Sequence, residues 1–480
     1  MSDFEMQEDM PIEESESYDG NETCEENESY TEESLNGKKK KKKEKKKLTP
    51  EQKKKRTIKA LIITGAILLV FAIFISSCAI ANAVGVKALI KAANSYEKVQ
   101  YAEGTQLEPT KDTDGYWTFI TDEEFKVIQF TDVHIGAGCF SQSKDTWAMN
   151  AVARMITAEK PDLVIITGDI AYPVPFQAGT FNNLNATKVF ANMMESLGVY
   201  WTFAFGNHDT EAYSSYTRKD ICKYYESQDF KYCLFERGYS SEELGYGNNI
   251  IKVKNSQGIV TQALVTFDSH SYIEGDYFGA AWKYDNIHQS QVDWYCTEMD
   301  KLKQANVEKG GADEYVPNLA FFHIPLVEYR EAWKEIFEAN NGKSGKDKDI
   351  ESTENVKYLY GAMGESDGKK NGQRTYGVFC GLHQDELFEK GVEHGLQGTF
   401  CGHDHYNNFS VVYTKDGKSM RLTYGMSIDY LAYPGIYKEH LQRGCTVINL
   451  LANGEKDENG FIFTCNPKNY YDYEGVGNKD

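Results

Sequence analysis

The sequence predicts an α/β fold built on a parallel sheet, and three observations predict it. Apolar strand patterns at 125–131, 163–167 and 199–205 alternate with helical apolar spacings at 148–156 and 189–197. The first strand–helix–strand unit is about 45 residues long, enough for a right-handed crossover between parallel strands. Each strand runs into polar residues at its carboxyl end, where open α/β sheets gather their ligands.

Composition sets the outer limits. A chain of 480 residues that is 41% hydrophobic and 13% aromatic can bury a large core. The net charge of −20 is segregated: residues 1–37 hold 14 acidic and no basic side chains, residues 38–56 hold 13 Lys/Arg against 2 Glu, and the remainder carries 39 − 56 = −17. An acidic body argues against a nucleic-acid-binding domain, which would need basic faces against phosphate. No Cys-x-x-Cys pair occurs, so a zinc ribbon is not expected, and Cys222 with Cys233 is the expected disulfide.

Residues 1–37 contain almost no aliphatics and are expected to form an acidic disordered tail. The polybasic segment 38–56 follows, and then Ala60 to Val86 runs 27 positions without a charge. A span needs about 20 apolar residues, so 57–86 is expected to be a single transmembrane helix. Ala81-Asn82-Ala83 resembles a small-residue cleavage site, which leaves a cleaved signal as the alternative. Basic residues on the N-terminal flank place the N-terminus in the cytoplasm and the rest of the chain outside the cell membrane. The same basic residues would lie against anionic headgroups.

A juxtamembrane helix and linker are expected over 87–118, and a globular domain over 119–452. Ser143 is available to cap the first domain helix, and Pro161 ends it. Residues 249–253 and 259–267 suggest a hairpin, 289–302 a helix and 318–322 a strand. The Gly-, Lys- and Ser-rich stretch 340–378 reads as a surface insertion, a candidate lid. A helix is expected around 385–391 and a strand at 397–400; 409–414 and 419–424 form the clearest hairpin, with late strands at 444–450 and 460–464 before a C-terminal tail.

Five blocks put acid, amide or imidazole groups directly after a strand: Asp132/His134, Asp169, Asn207/His208, His323, and His403/His405. A lone histidine is more often structural than a ligand. Five blocks delivered to one sheet edge make a cleft of ligands. Mixed oxygen and imidazole donors suit Mn, Fe or Zn, and one carboxylate, Asp169, can bridge two cations. Asp268 and His270, after the strand 263–267, stand within reach of such a cleft or serve the structure.

In their order along the chain, Asp132-x-His134, Gly168-Asp169, Gly206-Asn207-His208-Asp209, His323 and Gly402-His403-x-His405 resemble the calcineurin-like metallophosphoesterase superfamily. Phe322-His323-Ile324-Pro325 and Cys401-Gly402-His403-Asp404-His405 are similar to its purple-acid-phosphatase-related branch that keeps Asp-x-His. The resemblance implies a four-layer α/β/β/α sandwich, two divalent or trivalent metal ions, and hydrolysis of phosphate esters by a metal-activated water. It implies one metal on Asp132, His134, Asp169 and His405, and the other on Asp169, Asn207, His323 and His403. His208 would contact the phosphate or protonate the leaving group, and Asp209 would orient it. Tyr172 stands where the purple enzymes place a tyrosinate ligand; with His134 present it is expected to lie behind the ligands. The alternatives are a phosphodiesterase acting on phospholipid headgroups or nucleotides, and a catalytically silent metal-binding ectodomain.

Overall fold

The structure, a computed structural model, describes residues 48–476 apart from 242, 274–282, 344–349, 371–372, 434–435 and 437–442. The acidic tail and the basic run up to residue 47 lie outside the described residues. The chain divides into a unit ending at Leu68 and a unit from Leu69 onward. In the first, the described residues from Pro50 are helical with exposed side chains.

That helix, α1 (Pro50–Ala93), is long and apolar enough to cross a membrane. Its bounds correct the expectation of a separate juxtamembrane helix, because no breaker interrupts the run and the Ala81-Asn82-Ala83 triplet is helical. Gly85 does not break it. A Cβ there would sit 1.9 Å from Gln142 Nε2, so the glycine serves close packing.

The strands and helices of the second unit follow in order: β1 (Thr110–Lys111), β2 (Trp117–Ile120), β3 (Phe125–Phe130), α2 (Gln142–Glu159), β4 (Leu163–Thr167), α3 (Asn183–Leu197) and β5 (Trp201–Ala204). Next come α4 (Arg218–Glu226), β6 (Tyr239–Ser241), β7 (Gly245–Lys254), β8 (Val260–Thr266), α5 (Gln289–Glu308), β9 (Asn318–Phe321) and α6 (Val327–Ala339). The last part holds β10 (Val356–Tyr360), β11 (Lys369–Lys370), β12 (Gln373–Arg374), α7 (Leu387–Glu393), β13 (Leu396–Cys401), β14 (Ser410–Lys415), β15 (Lys418–Tyr424), β16 (Gly444–Leu450) and β17 (Phe463–Asn469).

Two large sheets result. One has five strands in the order β17-β16-β3-β4-β5, with β3, β4 and β5 mutually parallel, as the crossover argument requires. The other has ten, ordered β1-β2-β7-β8-β9-β13-β15-β14-β10 with β6 on β7, and β8-β9-β13-β15 are parallel neighbours. One buried cluster joins residues of both sheets, such as Phe130, Ile165, Phe321 and Phe400, with the apolar faces of α2 and α3. A second packs Val265, Ala320 and Leu422 against Trp294, Trp333 and Phe388 of α5, α6 and α7.

Three expectations are corrected. Ser141, not Ser143, precedes α2, and its hydroxyl donates to Asp145 rather than capping the helix. The stretch 340–378 is not simply a lid: its alternating Val-Lys-Tyr-Leu-Tyr run pairs with β14 and extends the larger sheet. Cys222 and Cys233 are both free thiols, the first buried on α4.

Candidate metal centre

The carboxyl ends of β3, β4 and β5 deliver Asp132, Asp169 and Asn207, and those of β9 and β13 deliver His323 and His403. The two sheets meet there: His323 Nδ1 donates to Thr167 O (2.8 Å), and Gly402 N donates to His323 O (3.0 Å). Backbone strain concentrates at this edge. Asp132, His134, Asp169 and His403 all have positive φ (51°, 54°, 54° and 77°), a conformation that non-glycine residues hold only when their surroundings impose it. At Gly168 a Cβ would meet His323 Nδ1 at 2.6 Å, so only glycine lets the His323 ring lie against the strand end.

Two groups of donors converge. Ligand atoms of Asp132, His134, Asp169 and His405, all buried, lie within 4.8 Å of one another. His405 Nε2 is 3.1 Å from Asp132 Oδ1, and His134 Nε2 is 3.4 Å from Asp169 Oδ2. In the second group His323 Nε2 lies 3.0 Å from Asn207 Oδ1 and 3.1 Å from Asp169 Oδ2, while His403 Nδ1 is 2.9 Å from Asn207 Oδ1. Asp169 Oδ2 therefore faces both groups, and its Oδ1 is taken by the backbone N–H of His208 (2.8 Å).

The donor set fits cations. Because a carbonyl only accepts, His323 must carry its proton on Nδ1, which turns the Nε2 lone pair toward two oxygens that also only accept. Asp132 Oδ1 is buried and receives no well-directed hydrogen bond among the described residues. Without a cation, protons must fill the role. Burial alone would lower His134, but Asp429 and Asp169 beside it raise it to about 10; burial is likewise outweighed at His323, which Asp169 raises to about 9. Burial would raise Asp169, yet His323 and His208 hold it well below the usual carboxylate range.

Residues 125–407, more than half of the chain, match the calcineurin-like phosphoesterase family. The chain belongs to that family.

Among its relatives, "Probable inactive purple acid phosphatase 28" of Arabidopsis thaliana is 25% identical over 345 residues, covering 66% of this chain and 73% of the relative. "Phosphatase DCR2" of Saccharomyces cerevisiae is 30% identical over 230 residues, covering 44% of this chain and 36% of the relative. Among solved structures, a dimetal phosphatase from Danio rerio is similar with a TM-score of 0.40 and 9% identity, covering 72% of this chain and 96% of that one. Purple acid phosphatase PPD1 of yellow lupin (Lupinus luteus) has a TM-score of 0.35 and 11% identity, covering 76% of this chain and 57% of that one.

For a calcineurin-like phosphoesterase, the groups behind the ligands matter as much as the ligands. The expectation that Asp209 orients His208 is corrected. Asp209 accepts from the backbone N–H groups of Gly206 (2.8 Å), Asp169 (3.0 Å) and Ala171 (2.8 Å), so it ties the two strand ends together. Burial and the nearby Asp169 raise its carboxyl to about 6. The group facing His208 Nδ1 is Glu211, at 2.6 Å. Burial would lower His208, and Asp169 and Glu211 reverse that.

The Tyr172 ring stacks on His134 (centroids 4.6 Å apart) and its hydroxyl donates to Gln177 Oε1 (2.8 Å). Burial holds the phenol far above its usual range, which disfavours a tyrosinate. Asp268, by contrast, pairs with Arg218 and accepts from the N–H of Tyr246, a structural assignment. Besides Glu211, sequence reasoning missed Asp429, 3.3 Å from His134 Nδ1 and 3.6 Å from His405 Nδ1. Its other bonds, from the N–H groups of Leu431, Ala432 and Tyr433, fix it in place.

Proposed function

We propose that this chain is a membrane-anchored phosphoesterase that hydrolyses phosphate esters at a centre of two metal ions. The observation that carries the reading is Asp169 Oδ2, which stands between two separate groups of donors, 3.4 Å from His134 Nε2 and 3.1 Å from His323 Nε2. Asp132, His134, Asp169 and His405 would hold one cation; Asp169, Asn207, His323 and His403 would hold the other. Mn, Fe or Zn suit this mixture of oxygen and imidazole. Two such ions, when bound, act as Lewis acids toward a phosphoryl group and make water nucleophilic at neutral pH.

The chain's own residues supply the rest. His208 projects from the turn after β5 at the rim of both groups, positioned to donate to a phosphoryl oxygen or to a departing alkoxide. Glu211 keeps the Nδ1 proton on that ring and so points Nε2 at the substrate. The cores support the four-layer α/β/β/α arrangement, since α2 and α3 cover one sheet and α5, α6 and α7 the other. For the anchor, α1 offers an apolar run in which Phe71, Ile73 and Phe74 are each more than half exposed. The basic flank then sets a cytoplasmic N-terminus and an exterior catalytic domain.

The test is to purify the full chain in detergent, measure metal per chain, and follow hydrolysis of a monoester and a diester chromogenic substrate. Two metals per chain with turnover of either ester is the expected result. The names of several relatives favour a second reading, a metal-binding but silent ectodomain; full metal loading with no hydrolysis of either ester would select it.

A further inference from the structure

We propose that the catalytic edge of the domain faces the membrane, that Phe140, Phe176 and Phe181 seat in its interfacial layer, and that the substrate is a phosphate ester in a membrane lipid headgroup. The proposal rests on the phosphoesterase reading and on α1 as a span.

The direction of α1 carries the argument. Beyond Ile80 the helix lies along α2 and runs the same way: Gln142 Nε2 donates to Ala81 O (3.5 Å), and further on Tyr96 Oη donates to Asn150 Oδ1 (2.6 Å). Helix α2 starts at the catalytic edge, because it follows the loop that leaves Asp132 and His134. Extended back toward its N-terminus, α1 therefore passes out of the domain at that same edge. Residues 69–77 are all exposed and project beyond it by about 14 Å at 1.5 Å per residue. Their apolar side chains, Phe71, Ile73, Phe74 and Ile75, are 59%, 58%, 56% and 51% exposed.

What surrounds the exit point is apolar as well. Asn82 Nδ2 donates to Gly179 O (3.0 Å), and Phe140 N donates to Ala178 O (3.0 Å), so α1 and the loops 138–141 and 174–181 meet. These loops leave Phe140 53%, Phe176 90% and Phe181 49% exposed. Phe181 touches Tyr213 edge-on and Phe140 lies against Gly179, yet about half of each ring and nearly all of Phe176 stay open to solvent. That exposed apolar surface on neighbouring loops suits the boundary between headgroups and acyl chains. The same loop reaches the metal centre, since Tyr172 Oη donates to Gln177 Oε1 and Gln177 Nε2 to Ala432 O (3.3 Å). A ring seated in the interface thus holds the ligand cluster at the depth of headgroup phosphates.

The test uses the full chain in phosphatidylcholine vesicles containing phosphatidic acid and phosphatidylglycerol, with para-nitrophenyl phosphate and its bis ester as water-soluble substrates. The triple change Phe140→Ser, Phe176→Ser, Phe181→Ser is expected to cut release from lipid roughly 10-fold while leaving the soluble rates unchanged. Phe176→Trp should add fluorescence that brominated phosphatidylcholine quenches beyond the parent protein. Equal losses on lipid and soluble esters, no loss on lipid, or no added quenching would overturn the inference, and continued hydrolysis of a soluble ester would leave the phosphoesterase reading standing. If no ester of any kind is hydrolysed, that reading fails and the lipid-substrate assignment falls with it; quenching then decides only the orientation.

Discussion

The two groups of donors in the candidate metal centre have the same number of side chains and differ in what stands behind them. On the Asp132 side, both imidazoles turn their second nitrogen to a single carboxylate, Asp429, so three acidic groups surround the pocket. On the Asn207 side, His323 leans on the neutral carbonyl of Thr167, and the Asn207 amide donates to the Tyr272 hydroxyl (3.0 Å). The first half is also fully buried, whereas His403 is partly open. A carboxylate behind an imidazole raises its basicity as a ligand. On the proposed reading, the Asp132 half would hold its ion more tightly, and the Asn207 half would exchange ions and admit substrate.

The largest effect would come from the residue both halves share. Asp169→Ala is expected to empty both pockets and reduce ester hydrolysis to background, read by metal analysis and phosphate release together. Retention of one metal per chain would show that the halves are independent. Asp429→Asn separates them more selectively: affinity on the Asp132 side should drop about 10- to 100-fold. Staged chelation would then remove that ion first, reversing the order expected of the parent protein.

Protons sharpen the same contrast. In the metal-free protein, His134 titrates at about 10 and His323 at about 9, both above the ordinary 6.5. Folded-state values raised in this way favour the protonated form, so their stabilisation of the metal-free fold is complete below about 6.5 and is lost as pH rises through 9 and then 10. Cations displace those protons. Loading at pH 7.5 is expected to release up to about two protons per chain, and affinity should climb with pH across that window. Calorimetry in buffers of different ionisation heat counts them; no release would mean the pockets are already neutral.

Much of this centre is legible in the sequence because parallel strands deliver their carboxyl ends to one edge. Asp132, Asp169, Asn207, His323 and His403 each follow a strand directly, so location and residue type coincide. Asp429 was less visible, five residues beyond β15 in a segment with no motif, although it too is an acid after a parallel strand. Glu211 lay hidden behind Asp209. Adjacent residues in a turn point in different directions, and i,i+3 spacing brings Glu211 rather than the neighbouring acid beneath His208. Helix through position 93 was legible; its continuity with the apolar run was not, because Lys87 and Lys91 interrupt that run, and both side chains are exposed along one helix that packs through Gly85, Leu89 and Ala93.

Glu211→Gln removes the charge that holds His208 while leaving both pockets untouched. Turnover should fall roughly 10- to 100-fold with metal content unchanged. A loss of metal instead would mean that the turn after β5 is held by this acid rather than by Asp209.

The smallest effect tests what the Asp132 half lacks. Tyr172→Phe removes a hydroxyl that donates to Gln177 and keeps the ring stacked on His134. One such hydrogen bond is worth about 1 kcal/mol, so a slight fall in Tm with unchanged metal content and unchanged visible absorption is expected. Loss of a charge-transfer band, or of one metal per chain, would show a phenolate ligand in that pocket. The Asp132 half would then owe its grip to Tyr172 as well as to the carboxylate behind its histidines.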